Sequence, residues 1–542
     1  MTFADMPLVT GGVVSLLAAG ALARGWDRPF DQSEFIPADV DFFIHVDDPA
    51  SARERLEQLG LGVAAAEVFG DGAIGDAWRA LAASAGMSEK AMFDALLGGN
   101  ATFAFRRKEP DGIDWVIVAS IDDDAWGTFA RRLELRIGAP VHGIAMLSLP
   151  EHEIALARIA PLVIAGPRAS AHDGLLAESL ALVAGVSDHS LRSDLGTLQP
   201  EKLGNGEGGI FIRHAPPLGG ISAFAVDLGR EILVLRHASR FANSPFGDAP
   251  RPTTLDRAFF DRLGEGAISV LAQPLEMPTG PLAAFVRARL PHGALTPQVE
   301  ENLGERLYWV VSERPPVAAD AAQGMPLLDL VLVVEVRDGG AGIAQLDGLC
   351  SGLARVLVEF APQDQRIEIP APDAQQLRPD DIRRMEIGPA LARLYPRLID
   401  PKAVSLNWMT VSGTNGQWWV VGTGEEAVAR IGASLPAAMD NAEHNREIEL
   451  DWQFGMVRGA EAAEHLRRLG ARLSGMMPDQ PQDARAVDGV IEFVSSLLGR
   501  MDRCIWKANL PGQNRVRSTW VLHFHEESEG ADRIELRAVD RR

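Results

Sequence analysis

The stretch "DFFIHVDDPASARERLEQLG" (residues 41–60) decides how this chain is read. Its first half alternates: Val40, Phe42, Ile44 and Val46 fall on one side of an extended strand, Asp41, Phe43 and His45 on the other. Its second half turns helical. Asp48-Pro49 offers an N-cap and a first-turn proline, "ASARERLEQLG" carries the helix on, and Gly60 ends it. The polar residues Asp41, His45, Asp47 and Asp48 are either a metal or acid–base site or the material of a strand-to-helix corner. On a strand the set spreads over about 20 Å, whereas ligands must all lie about 2 Å from one ion. Only neighbours such as His45 and Asp47 could share one.

The corner recurs. "IDWVIVASIDDDAWGTFARRLE" (113–134) runs from Asp114 through an apolar strand to an acidic cap at Asp122–Asp124 and an amphipathic helix. "LDLVLVVEVRDGGAGIAQLDGLC" (328–350) repeats it with Asp329 and Asp338. The acids recur and the histidine does not, which makes the corner structural. Two further pairs repeat. "LLGGNATFAFRR" (96–107) and "RLGEGAISVLAQP" (262–274) join a helix end to a strand through glycines. "PLVIAGPRASAHDGLLAESLALV" (161–183) and "WWVVGTGEEAVARIGASL" (418–435) are strand, glycine corner and helix.

These elements predict an α+β fold with two related units, 36–215 and 216–440, of mixed or antiparallel sheet packed with helices. Hairpins such as "HGIAMLSLPEHEIALARI" (142–159) argue against a doubly wound parallel sheet. Residues 1–35 form an apolar segment and connector. Residues 441–542 form a C-terminal unit, with helices near 459–474 and 486–502 and hairpin strands "CIWKANL", "RVRSTWVLHFHE" and "RIELRAV".

Bulk properties narrow the partners. The chain has 542 residues, 46% of them hydrophobic, enough for a large core. Its net charge of −22 comes without a basic stripe, so nucleic acid is excluded as a partner. Two cysteines, Cys350 and Cys504, read as buried free thiols or one long-range bridge. "MPLVTGGVVSLLAAGALA" (6–23) carries no charge and would be about 27 Å long as a helix. Three readings stand: an atypical signal or membrane anchor, a buried amphiphilic helix, or a chain whose true start lies upstream of Met1.

The segments "IPADVDFFIHVDD", "LLGGNATFAF", "WVIVASIDD" and "LVIAGP" resemble bacterial envelope proteins described only as carrying a DUF3352-type domain of unknown function. The resemblance spans about residues 36–440. It implies an exported or membrane-tethered protein facing the periplasm, and no catalytic residues or cofactor.

Several side chains invite chemistry. "LHFHEE" (522–527) sets His523 and His525 on one strand face, about 7 Å apart, a zinc pair if a third ligand arrives. "LPEHEIALAR" lacks the second histidine of HExxH. "EAAEH" (461–465) is a single Glu-x-x-His copy, read as a solvated helix face. "VVGTGEEAVARI" lacks a third glycine and places Glu425 and Glu426 where phosphate would sit. Trp309, Trp408, Trp418, Trp419 and Trp452 cluster in strands and could line an apolar groove for a lipid tail, peptide or sugar; sheet core is the plainer alternative. The functional expectation is a non-catalytic binding or envelope-assembly role, with an apolar ligand or envelope protein as partner. The alternatives are a metal-dependent hydrolase using His523 and His525, and a cytoplasmic scaffold.

Overall fold

The computed structural model describes residues 31–49, 51, 54–55, 82–83, 86–92, 99–108, 112–133, 135–149, 153–198, 203, 208–214, 219–229, 231–242, 252–275, 302–314, 328–337, 342–359, 382–388, 404–413, 416–439, 447–475, 491–492, 494–512 and 514–524. The chain divides into two compact units. One takes 1–244, 477–502 and 514–542; the other takes 245–476 and 503–513.

The first unit contains β1 (Phe42–Val46), β2 (Ala101–Lys108), β3 (Gly112–Ser120), β4 (Arg136–Ile137), β5 (Met146–Leu149), β6 (Ile154–Ile159), β7 (Leu162–Pro167), β8 (Gly208–Arg213), β9 (Gly220–Leu228) and β10 (Ile232–Phe241). Its helices are α1 (Asp123–Arg132), α2 (Leu175–Val183) and α3 (Leu191–Leu198). The strands run β10-β9-β8-β1-β2-β3-β7-β6-β5-β4, each pair antiparallel. β1 is therefore an interior strand, and all five of its residues are buried. Phe43 sits between Ala104 and Phe211 on neighbouring strands. That face is closed by Leu175, Leu176 and Leu180 of α2 and Leu191 and Leu195 of α3.

The second unit contains β11 (Thr253–Asp256), β12 (Ser269–Pro274), β13 (Leu303–Glu313), β14 (Leu328–Val336), β15 (Arg383–Glu386), β16 (Ser405–Gly413), β17 (Gly416–Gly422), β18 (Glu447–Leu450), β19 (Gln453–Arg458) and most of β20 (Met501–Gly512). Its helices are α4 (Arg257–Leu263), α5 (Gly342–Glu359), α6 (Glu425–Met439) and α7 (Gly459–Gly475). The sheet runs β20-β19-β12-β13-β14-β17-β16-β15, again antiparallel, and β11 pairs with β18 apart from it. One face packs on α4 and α6, through Phe259, Phe260, Val428 and Ile431. The other packs Leu346 and Cys350 of α5 over Trp408 and Trp419.

The fold is thus α+β, and its sheets are antiparallel. The boundaries differ from those read in the sequence, because strand pairing overrides chain order. β9 pairs with β8 over six residues, which keeps 216–244 in the first unit. The tail 441–542 is not a separate body: β19 and β20 complete the second sheet, whereas β21 (Arg515–Phe524) pairs with β10 over nine residues in the first. "RIELRAV" lies outside the described residues.

Candidate functional site

The opening corner resolves residue by residue. Asp48 caps the helix that follows, its Oδ1 accepting from the Ser51 amide at 3.0 Å. Asp41 accepts from the Arg107 amide at 2.8 Å, tying β1 to β2 at the strand start. His45 lies opposite Thr102, with Nδ1 2.7 Å from the Thr102 hydroxyl and Nε2 2.9 Å from Asp47 Oδ1. His45 and Thr102 are 0% exposed, so this hydroxyl–imidazole–carboxylate row has no access for a substrate. It resembles a nucleophile relay in connectivity and acts as a buried polar lock between β1 and β2. His45→Ala strands Asp47 without its partner and is expected to cost about 2–4 kcal/mol by chemical denaturation. The cost in His45→Ala/Asp47→Ala should be less than the sum of the two single changes.

The repeated aspartates act at a distance rather than on their own helices. Asp114 is buried at the start of β3, and its Oδ2 accepts from the Leu175 amide at 2.8 Å, at the first turn of α2. A side chain at Gly174 would collide with that carboxylate. Burial opposes its ionisation, but the Leu175 amide, the Ser170 hydroxyl and the Lys108 ammonium hold its carboxyl below the usual carboxylate range. Asp329 is likewise buried at the start of β14, bound by Arg314 Nε at 2.7 Å. Gly424, immediately before α6, packs so closely on the Asp329 carboxylate that any side chain would strike it. Gly424 of "VVGTGEE" thus admits a carboxylate, where a phosphate cradle would admit a ligand, and Gly422 packs against Val331 and Val428. Asp122 caps α1 through the Ala125 amide at 2.6 Å, as its sequence implies. Asp338 lies outside the described residues.

The tryptophans do not line one groove. Alternation along β17 sends Trp418 and Trp419 to opposite faces of the second sheet. Trp418 stacks on Phe259 at 4.8 Å beneath α4. Trp408 and Trp419 join the α5 core, where Trp408 Nε1 donates to Asp347 at 2.7 Å. Trp309 shares their face and is half-buried; Trp452 lies at the β18–β19 connection. Three of the five are core, the consequence of strands buried on both sides.

His523 is buried on β21 opposite Ile232, and His525 lies outside the described residues. Among the described residues, no three His, Cys, Asp or Glu gather as a metal-binding group. In "EAAEH", Glu461 and Glu464 face solvent, but His465 is buried, 4.0 Å from Glu313 Oε1. The solvated-face reading therefore fails for the histidine, because α7 turns that side toward β13. Cys350 and Cys504 are buried free thiols; burial raises both, Cys504 to about 12, so neither is a ready nucleophile.

A row that sequence reading passed over crosses β8, β9, β10 and β21 of the first unit. Trp520 Nε1 donates to Ser518 Oγ at 2.8 Å. Ser518 Oγ lies 3.1 Å from His237 Nδ1. His237 Nε2 lies 3.4 Å from Ser222 Oγ, and His214 Nε2 lies 2.6 Å from the same oxygen. Phe224 stacks on His237 at 4.5 Å and Phe241 on His214 at 5.6 Å. Burial, reinforced by His214, lowers His237 to about 4, and burial lowers His214. Both imidazoles are neutral at physiological pH. The local signal was a histidine and a serine eight residues apart, diagonal across the β8–β9 hairpin, with Ser222 opposite Ile212; Ser518, 281 residues from His237, left none.

No family model, curated protein or solved structure matches this chain. No helix among the described residues is long and apolar enough to cross a membrane, and residues 6–23 lie outside them.

Proposed function

We propose that this chain is a non-catalytic binding or envelope-assembly protein, exported or tethered through residues 6–23, whose body arose by internal duplication. The observation that carries the proposal is the repeated carboxylate–glycine contact. Asp114 on β3 meets Gly174 at the start of α2, and Asp329 on β14 meets Gly424 at the start of α6. In each unit the strand bearing the aspartate pairs with the strand that precedes the helix: β3 with β7, β14 with β17. The surrounding orders, β9-β8-β1-β2-β3-β7 and β20-β19-β12-β13-β14-β17, then correspond strand for strand. The polar groups that stand out in sequence hold elements together, which supports a scaffold that presents a surface. The envelope location in this reading rests on the DUF3352-type resemblance of residues 36–440 and on the uncharged run 6–23.

Fractionation of cells carrying the full chain with a C-terminal reporter tests the reading. The expected result is a membrane or exported fraction that loses the protein when residues 6–23 are deleted. A full chain that stays in the cytoplasmic fraction, with or without those residues, would overturn it in favour of a cytoplasmic scaffold.

A further inference from the structure

The geometry of the row on β8–β9–β10–β21 points to a metal site: we propose that His214 and His237 bind copper(I) as a two-coordinate imidazole pair, with Ser222 beneath it. Both Nε2 atoms are directed at one hydroxyl oxygen, from 2.6 and 3.4 Å. A serine has one proton to donate, so it serves one of these nitrogens at a time. The other either donates its own proton or presents a lone pair to the same point. An ion about 2 Å from each nitrogen takes the place of these two hydrogen bonds: Ser222 keeps its hydroxyl proton and turns it away, and each imidazole carries its one proton on Nδ1.

The second shell accommodates the metal-binding tautomer. Trp520 Nε1 is a donor only, so Ser518 Oγ accepts from it. Ser518 Oγ lies 3.1 Å from His237 Nδ1 and has a lone pair left to accept a proton there; in that tautomer Nε2 is free to coordinate. Burial lowers both histidines, which removes the competing proton near neutrality. The choice of ion follows from charge. The ligands are two neutral nitrogens, and the walls are the rings of Phe224 and Phe241. Such a site offers no negative charge to a divalent ion and suits a soft monovalent one of low coordination number. Both imidazoles bind as neutral ligands, so copper(I) enters as such, with no electron transferred and no net proton released.

The test is anaerobic titration of the full chain against copper(I) held by bicinchoninate, followed by X-ray absorption at the copper edge. The expected result is one equivalent taken up, with a nitrogen shell and no sulfur. His214→Ala and His237→Ala should each weaken uptake at least 10-fold, and Ser518→Ala should do so by about 10-fold. His189→Ala, at an exposed histidine, should leave uptake unchanged. Sulfur in the copper shell would assign the metal to Cys350 or Cys504 and overturn the proposal. So would equal uptake by folded His214→Ala and His237→Ala chains, or no uptake by the native chain. If the alanine variants fail to fold, His214→Gln and His237→Gln, which keep a polar side chain at each position, are titrated instead, and uptake equal to the native chain's by either folded glutamine variant would overturn the proposal.

Discussion

Asp114→Ala and Asp329→Ala are each expected to lower the unfolding free energy by about 3–5 kcal/mol, the range for removing one partner from a buried charged cluster. In the first unit the change removes the acceptor for the Leu175 amide and leaves Lys108, 3.3 Å away, without its carboxylate. In the second it leaves Arg314, otherwise bound to Asp329 and to the Thr423 carbonyl, with a buried charge half-satisfied. Asp114→Asn keeps an acceptor oxygen for the Leu175 amide and should cost less than alanine. Gly174→Ala and Gly424→Ala should each cost about 1–3 kcal/mol, since the added carbon meets an immobile carboxylate. Urea denaturation of the full chain measures all of these. The duplication predicts that the two aspartates behave alike; a cost below about 1 kcal/mol at either would show that its carboxylate does not hold strand to helix. Because the carboxyl of Asp114 is held low in the folded state, its contribution is present above the ordinary carboxylate range. That contribution is lost as pH falls through the folded value.

The second large effect is acid sensitivity at higher pH. His237 is lowered to about 4 in the folded chain, against an ordinary value of 6.5. The unfolded chain therefore binds more protons between those values, and stability rises with pH across that window. Followed downward in pH, stability is full above about pH 6.5 and falls until about pH 4, by at most about 3 kcal/mol for this one group. His214, also lowered, acts in the same direction. The physical cause is burial, which penalises the charged imidazolium, reinforced by the neighbouring His214. His237→Gln should lower stability at neutral pH and flatten the slope between pH 6.5 and 4. A native chain whose denaturation midpoint does not move over that range, or a variant with the native slope, would sink the assignment.

Local features of the fold were legible wherever a residue's partner is near in sequence. The caps at Asp48 and Asp122 follow from side chains that reach amides three residues on. The hairpin β5–β6 follows from turn residues between alternating runs. The faces were not legible. A strand such as QWWVV presents one tryptophan to each side, and period alone does not say whether both sides are covered. Of the two readings left open for the tryptophan strands, groove wall or sheet core, Trp408, Trp418 and Trp419 follow the core, because helices close both faces of the second sheet. His465 went astray similarly: its helix has two acids on one side, and only packing against β13 shows which side is in.

The sequence by itself determined the strand–helix corners, the α+β class and the positions where an acid or glycine recurs, since these depend on backbone geometry within a few residues. Tertiary structure alone decided what each acid holds. It also decided where the units divide, and that His214, Ser222, His237 and Ser518 share one row. Those outcomes depend on antiparallel register, which sets residues hundreds of positions apart side by side and leaves no periodic trace along the chain.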